Sequence, residues 1–295
     1  MAVGIVSELL QDALLTDCYD KLNNRKYACK FVNVKGEECN ETFHLLHIID
    51  DFDEKSDKET LMSNIKYWVK FEHEFPYINT SRIAMNYLYK MPLSRGFLQY
   101  IPENSTQPKV AKVISVGKIS RCQLVSAERV DVKGTTKSVK QVKFRYLSQE
   151  MELASACVCH VFNRKELTCN VWNGEFTAGT KFGQAGLIGV ATASVRDLPD
   201  VPDPSLFIPI YNIRNRLLTS DDLQNNALQS VPYFRVDNKL AELPRGSLAL
   251  ICHTIQRYDI EKISFGIQWI AVIATPDSET IVDFEHDRER ELSPD

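Results

Sequence analysis

Apolar positions change their period about a third of the way along the chain. Ile5, Val6, Leu9, Leu10, Ala13 and Leu14 fall on one helical stripe, and so do Leu61, Met62, Ile65, Trp68 and Val69, on a helix predicted to stop before Pro76. From about Lys109 the period moves towards two. Val142, Phe144 and Tyr146 alternate with Gln141, Lys143 and Arg145, which predicts a half-buried strand with a basic outer face. Further runs read as strands at 151–162 (MELASACVCHVF), 167–172 (LTCNVW), 186–195 (GLIGVATASV), 247–258 (SLALICHTIQRY) and 262–273 (KISFGIQWIAVI). One helix interrupts them, Thr219 to Ser230, with Thr219 or Ser220 as N-cap and acids in its first turn. The pattern predicts a mainly β chain, a jelly-roll-like antiparallel sandwich with N-terminal helices and one interposed helix. Residues 1–100 read as a mostly helical region, 101–276 as the β-rich core and 277–295 as an acidic flexible tail.

Composition adds limits. With 295 residues, 44% of them hydrophobic, and only 12 Gly and 12 Pro, the chain can bury a sizeable core; a wholly disordered chain, a collagen repeat and a disulfide-dense mini-protein are excluded. The first residues lack a basic stretch and carry Glu8 and Asp12, so they read as an amphipathic helix rather than a secretory signal. The most apolar stretch, Ile263 to Ala274, is 12 residues, short of the roughly 20 that a spanning helix needs. A soluble protein is expected, with peripheral membrane contact left open.

Candidate chemistry is sparse. The eight cysteines are scattered through apolar runs, which favours free thiols over a disulfide framework. Cys157, Cys159, His160 and Cys169 offer soft ligands, but on a strand Cys157 and Cys159 would share one face and His160 the other, and the spacing is not that of a structural zinc site. His44 and His47 lack the Glu of an HExxH motif and read as surface histidines. The glycine-rich stretch 174–189 misses the phosphate-loop pattern and reads as a flexible hairpin connection. No nucleophile elbow or paired carboxylates stand out. Neither an enzyme, a metal nor a cofactor is expected.

Charge is where the sequence becomes specific. From Lys109 to Arg145 there are ten basic and two acidic residues, net +8, in a chain whose total is −4. Two acidic blocks balance it, Glu37 to Glu59 at −7 and Asp277 to Asp295 at −6. The basic block is the one place a polyanion would be drawn to. Lys133, Lys137, Lys140, Lys143 and Arg145 are its candidate nucleic-acid contacts, with Phe144 and Tyr146 turned to the opposite side, so that binding would be mainly electrostatic and poorly sequence-specific. The competing reading is a solvated strand face paired with the protein's own acidic blocks. Farther on, Ser194 to Pro204 reads as a strand entering a proline-stiffened turn. There Asp197 either accepts backbone N–H bonds that set the chain's exit angle or forms an ordinary Asx turn.

Taken in order, several elements resemble the core of the plant-virus movement proteins of the thirty-kilodalton superfamily. They are Leu167 to Phe176 (LTCNVWNGEF), Leu187 to Asp197 (LIGVATASVRD), Pro209-Ile210-Tyr211, the short helix Ser220 to Gln229, and Gly246 to His253 (GSLALICH), within a match running roughly from Val139 to Tyr258. The resemblance implies a non-enzymatic protein with a jelly-roll-like core. Such a protein binds single-stranded RNA or viral nucleoprotein cooperatively, associates with itself and with host plasmodesmal or membrane-associated factors, and carries its cargo through plasmodesmata from the host cytoplasm. Asp197 matches the family's aspartate. Two features depart from the family: the glycine-rich insert lengthens the gap between Glu175 and Asp197, and the C-terminal tail is acidic where many relatives have basic tails, which moves RNA binding to the Lys109 to Arg145 block. The helical N-terminus lies outside the match and fits a separate lineage of plant-rhabdovirus type. The alternative reading is a viral matrix or capsid-like structural protein, which would share the β-rich core and a basic face.

Overall fold

The computed structural model describes residues 30–39, 42, 58–90, 96–103, 105–132, 134–172, 175–180, 183–184, 205–225 and 227–276. The helix expected over 5–14, His44 and His47, most of the acidic block at 37–59, Lys133, the strand expected over 186–195, Asp197 with its proline turn, and the tail from 277 lie outside the described residues.

The elements that position the site are, in chain order, β1 (Lys30–Val32), α1 (Lys58–Lys70), β2 (Gly96–Tyr100), β3 (Lys112–Val132), β4 (Thr135–Tyr146), α2 (Ser148–Val161), β5 (Glu166–Thr168), β6 (Glu175–Gly179), β7 (Ile210–Asn212), α3 (Ser220–Gln224), β8 (Leu248–Arg257) and β9 (Ile263–Ala274). The chain is mainly β, as expected, and its main sheet closes like a barrel. β3 pairs with β4, β4 with β6, β6 with β9, β9 with β8, and β8 again with β3. Counted along the chain, this ring runs first, second, third, fifth, fourth and back to the first, the connectivity of a five-stranded Greek-key barrel. The long pairings are antiparallel; β6–β9, β7–β9 and β1–β5 are parallel.

Two apolar layers follow from strand alternation. Ile119, Val142, Phe144, Phe176, Ala249, Ile251, Phe265 and Ile267 fill the barrel interior. The opposite faces of β3, β8 and β9 carry Ile114, Val116, Leu250, Cys252, Trp269 and Ala271, and these pack with Leu61, Ile65, Trp68 and Val69 of α1 and Leu223 of α3. The predicted stripe of α1 is therefore its buried face. Thr219 caps α3 through a capping box with Asp222, which settles which of the two candidate residues is the N-cap. Gly117 points into the barrel, where a Cβ would lie 2.5 Å from Ile251 Cδ1 and 2.9 Å from Phe144 Cδ2. Only glycine admits those two side chains so close to the backbone.

One strand of the sequence reading is a helix. The run 151–162 forms α2, and its exposed positions, Glu152 and His160, with half-exposed Ala156 between them, recur every four residues. A helix buried on its other sides looks continuously apolar, which is how it passed for a strand. Cys157 and Cys159 consequently do not share a strand face; two residues apart on a helix they point to different sides, and both are buried because α2 is covered nearly all round. Part of the N-terminal region lies among the described residues. Among its described residues α1 is joined by short strands at 30–32, 73–74, 77–78, 88–90 and 96–100, and β2 pairs with β8 of the barrel. Strands of two to five residues carry too few positions to show a period.

Candidate nucleic-acid interface

The basic block folds as expected into a two-stranded ribbon, β3 against β4. Its inward rings are sealed: Phe144 and Tyr146 are 0% and 2% exposed. What the register adds is which cations meet. Lys118 lies directly opposite Arg145, and Arg121 directly opposite Lys143. A one-residue bulge at Ser120 separates the two pairs. Without that extra residue, Lys118 and Arg121, three apart, would stand on opposite faces; with it both stand outside while Ile119 and Cys122 turn in. Four cations thus form two successive like-charged cross-strand pairs, an arrangement that costs stability.

Two carboxylates border this quartet. Arg121 pairs with Glu128 at 2.8 Å, and Gln141 donates to the other Glu128 oxygen at 2.8 Å. Arg145 pairs with Glu175 of β6 at 3.7 Å. Both arginine side chains are half-exposed, so solvent screens these pairs to about 0 to 1 kcal/mol each. Lys118 and Lys143 have no carboxylate partner among the described residues. Lys143 instead faces Thr177 of β6 across the strand pairing. Gln123 and Gln141, opposite each other, continue the outer face as hydrogen-bonding groups.

Lys140 is placed otherwise than expected. It is 8% exposed, and its ammonium donates to the Leu206 carbonyl at 2.8 Å. Burial pushes its pKa down, and the nearby Glu242 carboxylate opposes that shift. The backbone around it is equally committed: Lys140 N donates to Thr180 Oγ1, and Thr180 N donates to the Lys140 carbonyl. Opposite Lys140, residues 124–127 of β3 bulge out, and the Glu242 carboxylate accepts the N–H groups of Leu124, Val125 and Ser126 at 2.7 to 3.1 Å. Lys140 therefore belongs to the barrel's structure. Of the other predicted contacts, Lys143 and Arg145 stand on the outer face, Lys137 is half-exposed towards the far end of the ribbon, opposite Val130, and Lys133 and Asp197 lie outside the described residues. Lys118 and Arg121 join Lys143 and Arg145 on this face without having been among the predicted contacts, and the one sequence signal for them was membership of the basic block.

Outward aromatic surface exists elsewhere. Phe207 and Tyr233 are 46% and 37% exposed and meet edge to face at 5.1 Å, one residue beyond the Leu206 carbonyl that Lys140 holds. A second polar constellation is sealed inside the barrel. Ser115 Oγ and Tyr146 Oη lie 3.2 and 3.4 Å from His253 Nε2, and His253 is 0% exposed between Phe144 and Phe265. No substrate reaches a group so placed; its role is in the core. Among the described residues no helix is long and apolar enough to cross a membrane. Comparison with protein families, with curated proteins and with solved structures gives no match for this chain.

Proposed function

We propose that this chain is a viral movement protein that binds single-stranded RNA or nucleoprotein without strong sequence preference and carries it from cell to cell through plasmodesmata. The jelly-roll-like core, self-association, and contact with host plasmodesmal or membrane-associated factors belong to the same proposal and come from the sequence resemblance. One structural observation supports its binding half: the outer face of the β3–β4 ribbon concentrates Lys118, Arg121, Lys143 and Arg145 in adjacent like-charged pairs, two of them without carboxylate partners among the described residues. A polyanion relieves that repulsion, and displacing ions from its phosphates drives binding.

The expected salt dependence follows from the count. Four phosphate contacts on a single strand give a log-log slope of about −3, so affinity falls roughly 50-fold between 50 and 200 mM salt. Replacing Lys118 and Lys143 together by Ala should bring the slope up by about 1.4 without changing the fold. Fluorescence anisotropy with labelled homopolymeric RNAs measures both. A wild-type protein that does not bind, or a double variant with an unchanged slope, removes the ribbon as the contact surface.

Transport needs a separate assay. A movement protein should restore spread of a transport-defective virus in leaves and collect as puncta at cell-wall junctions, and the Asp197→Ala variant should lose spread while retaining RNA binding. Diffuse signal with no complementation defeats the transport half, and abundance in purified virions would make the chain a matrix or capsid-like protein instead.

A further inference from the structure

The six cysteines among the described residues are all buried thiols outside any disulfide, and Cys39 meets Cys169. Cys39 Sγ and Cys169 Sγ are 4.0 Å apart. They join parts of the chain 130 residues apart: Cys39 lies seven residues beyond β1, and Cys169 follows β5. Phe31, Val32 and Cys39 are buried, so this stretch is part of the core. β1 pairs with β5 over three residues, Phe31 packs edge-on against Phe176 and Phe265, and the Cys169 N–H donates to the Val32 carbonyl.

We propose that Cys39 and Cys169 form a reversible disulfide when the protein meets a peroxide, clasping the segment 30–39 to the barrel. The Cys39 thiolate attacks one peroxide oxygen, giving a sulfenic acid and, with one proton, a water. Cys169 sulfur then attacks the sulfenic sulfur, and the departing hydroxide takes the Cys169 proton to leave as the second water. Two thiols lose two electrons and two protons in total, and the peroxide is reduced to two waters.

The geometry separates the two roles. A hydrogen bond from Cys169 holds the Cys39 pKa below its ordinary value against the effect of burial, whereas burial pushes Cys169 well up. Cys39 is thus the better thiolate and Cys169 the resolving thiol. The sulfurs must close from 4.0 Å to the roughly 2.05 Å of a disulfide, a movement a three-residue strand pairing accommodates. Both thiols are buried, so the oxidant enters when this three-residue pairing opens. Cys159 is the competitor within reach, since its thiol donates to the Lys30 carbonyl at 3.5 Å.

The test uses the full chain, exposed to hydrogen peroxide at neutral pH, quenched by alkylation and mapped by mass spectrometry with and without reductant. A loss of about 2 Da, assigned to a peptide joining Cys39 to Cys169 and reversed by dithiothreitol, is expected. Amide exchange across 30–39 should slow roughly tenfold in the bridged form. Cys159→Ser should leave the bridge intact, and Cys39→Ser and Cys169→Ser should each abolish it. A bridge from Cys159, Cys39 stopping at sulfinic acid, or unchanged exchange in a bridged protein overturns the proposal. None of these readouts depends on RNA binding.

Discussion

Replacing Glu150 by Ala should lower the unfolding free energy by about 3 to 5 kcal/mol, the cost of leaving a buried charge without its partner. At roughly 2 to 4 °C per kcal/mol for a chain of this size class, the melting temperature should fall by roughly 6 to 20 °C. The partner is Arg82, whose guanidinium meets the Glu150 carboxylate where the two side chains are 2% and 6% exposed. Burial pushes the Glu150 pKa up; Arg82 pulls it down, as do hydrogen bonds from Ser81 and Asn79. The pair is also a joint between helices. Arg82 Nε donates to the Val69 carbonyl at 2.8 Å and Asn79 Nδ2 to the Trp68 carbonyl at 3.2 Å, satisfying two of the carbonyls that the end of α1 leaves open. Ser81 Oγ donates to the Glu150 carbonyl in the first turn of α2, which begins two residues after Tyr146 of β4. The joint thus fixes α1 over the barrel and α2 at the foot of the basic ribbon. Combining Glu150→Leu with Arg82→Met should recover much of the loss, because an apolar pair leaves no unmatched charge. Thermal unfolding followed by circular dichroism measures Glu150→Ala, the double variant and its two component singles, Glu150→Leu and Arg82→Met. A Glu150→Ala loss under about 1 kcal/mol, or a double variant as unstable as the sum of the singles, would show that the two charges are not coupled.

How much of this was legible depended on sequence distance. The ribbon, the buried stripe of α1, the capped helix at Thr219 and the strands β8 and β9 all announced themselves through local period. Alternation alone also held the answer for Lys140: it shares even numbering with Val142, Phe144 and Tyr146, which face inward, and Lys137, Lys143 and Arg145 are odd. For Lys118 and Arg121 alternation misleads, since the bulge at Ser120 resets the parity between them, and a bulge is set by pairing with β4 rather than by the residues around it. The exposed stripe of α2, every fourth residue, was present in the sequence but hidden by cysteines and valine that suit either element. Arg82 with Glu150, Cys39 with Cys169, and Ser115 with Tyr146 and His253 are long-range meetings, and no pattern within a window could pair them.

The last of these clusters should make the protein acid-labile well above the pH at which carboxylates protonate. Burial pushes the His253 imidazole down to about 3, against an ordinary value near 6.5. Between those two values the unfolded chain binds a proton that the folded chain refuses, so the unfolded state gains as pH falls and stability declines at about 1.4 kcal/mol per unit. The contribution is intact above about pH 6.5, has fallen by about 2 kcal/mol at pH 5, and is smaller by about 4 to 5 kcal/mol near pH 3. Among the described residues no carboxylate stands beside the ring: its neighbours are the Ser115 and Tyr146 hydroxyls and the rings of Phe144 and Phe265, and a backbone hydrogen bond at Thr254 opposes the effect of burial only in part. His253→Phe removes the titrating group and leaves Ser115 to donate to Tyr146 Oη at 3.2 Å. Urea unfolding at pH 7.5 and pH 5.0 separates this residue from every other acid-sensitive group, because only the difference between wild type and variant is read. Whatever the variant costs at neutral pH, wild type should lose about 2 kcal/mol more than His253→Phe on going to pH 5.0. Equal losses in the two proteins would mean that the barrel interior admits the proton, and with it enough water to solvate a charged imidazole.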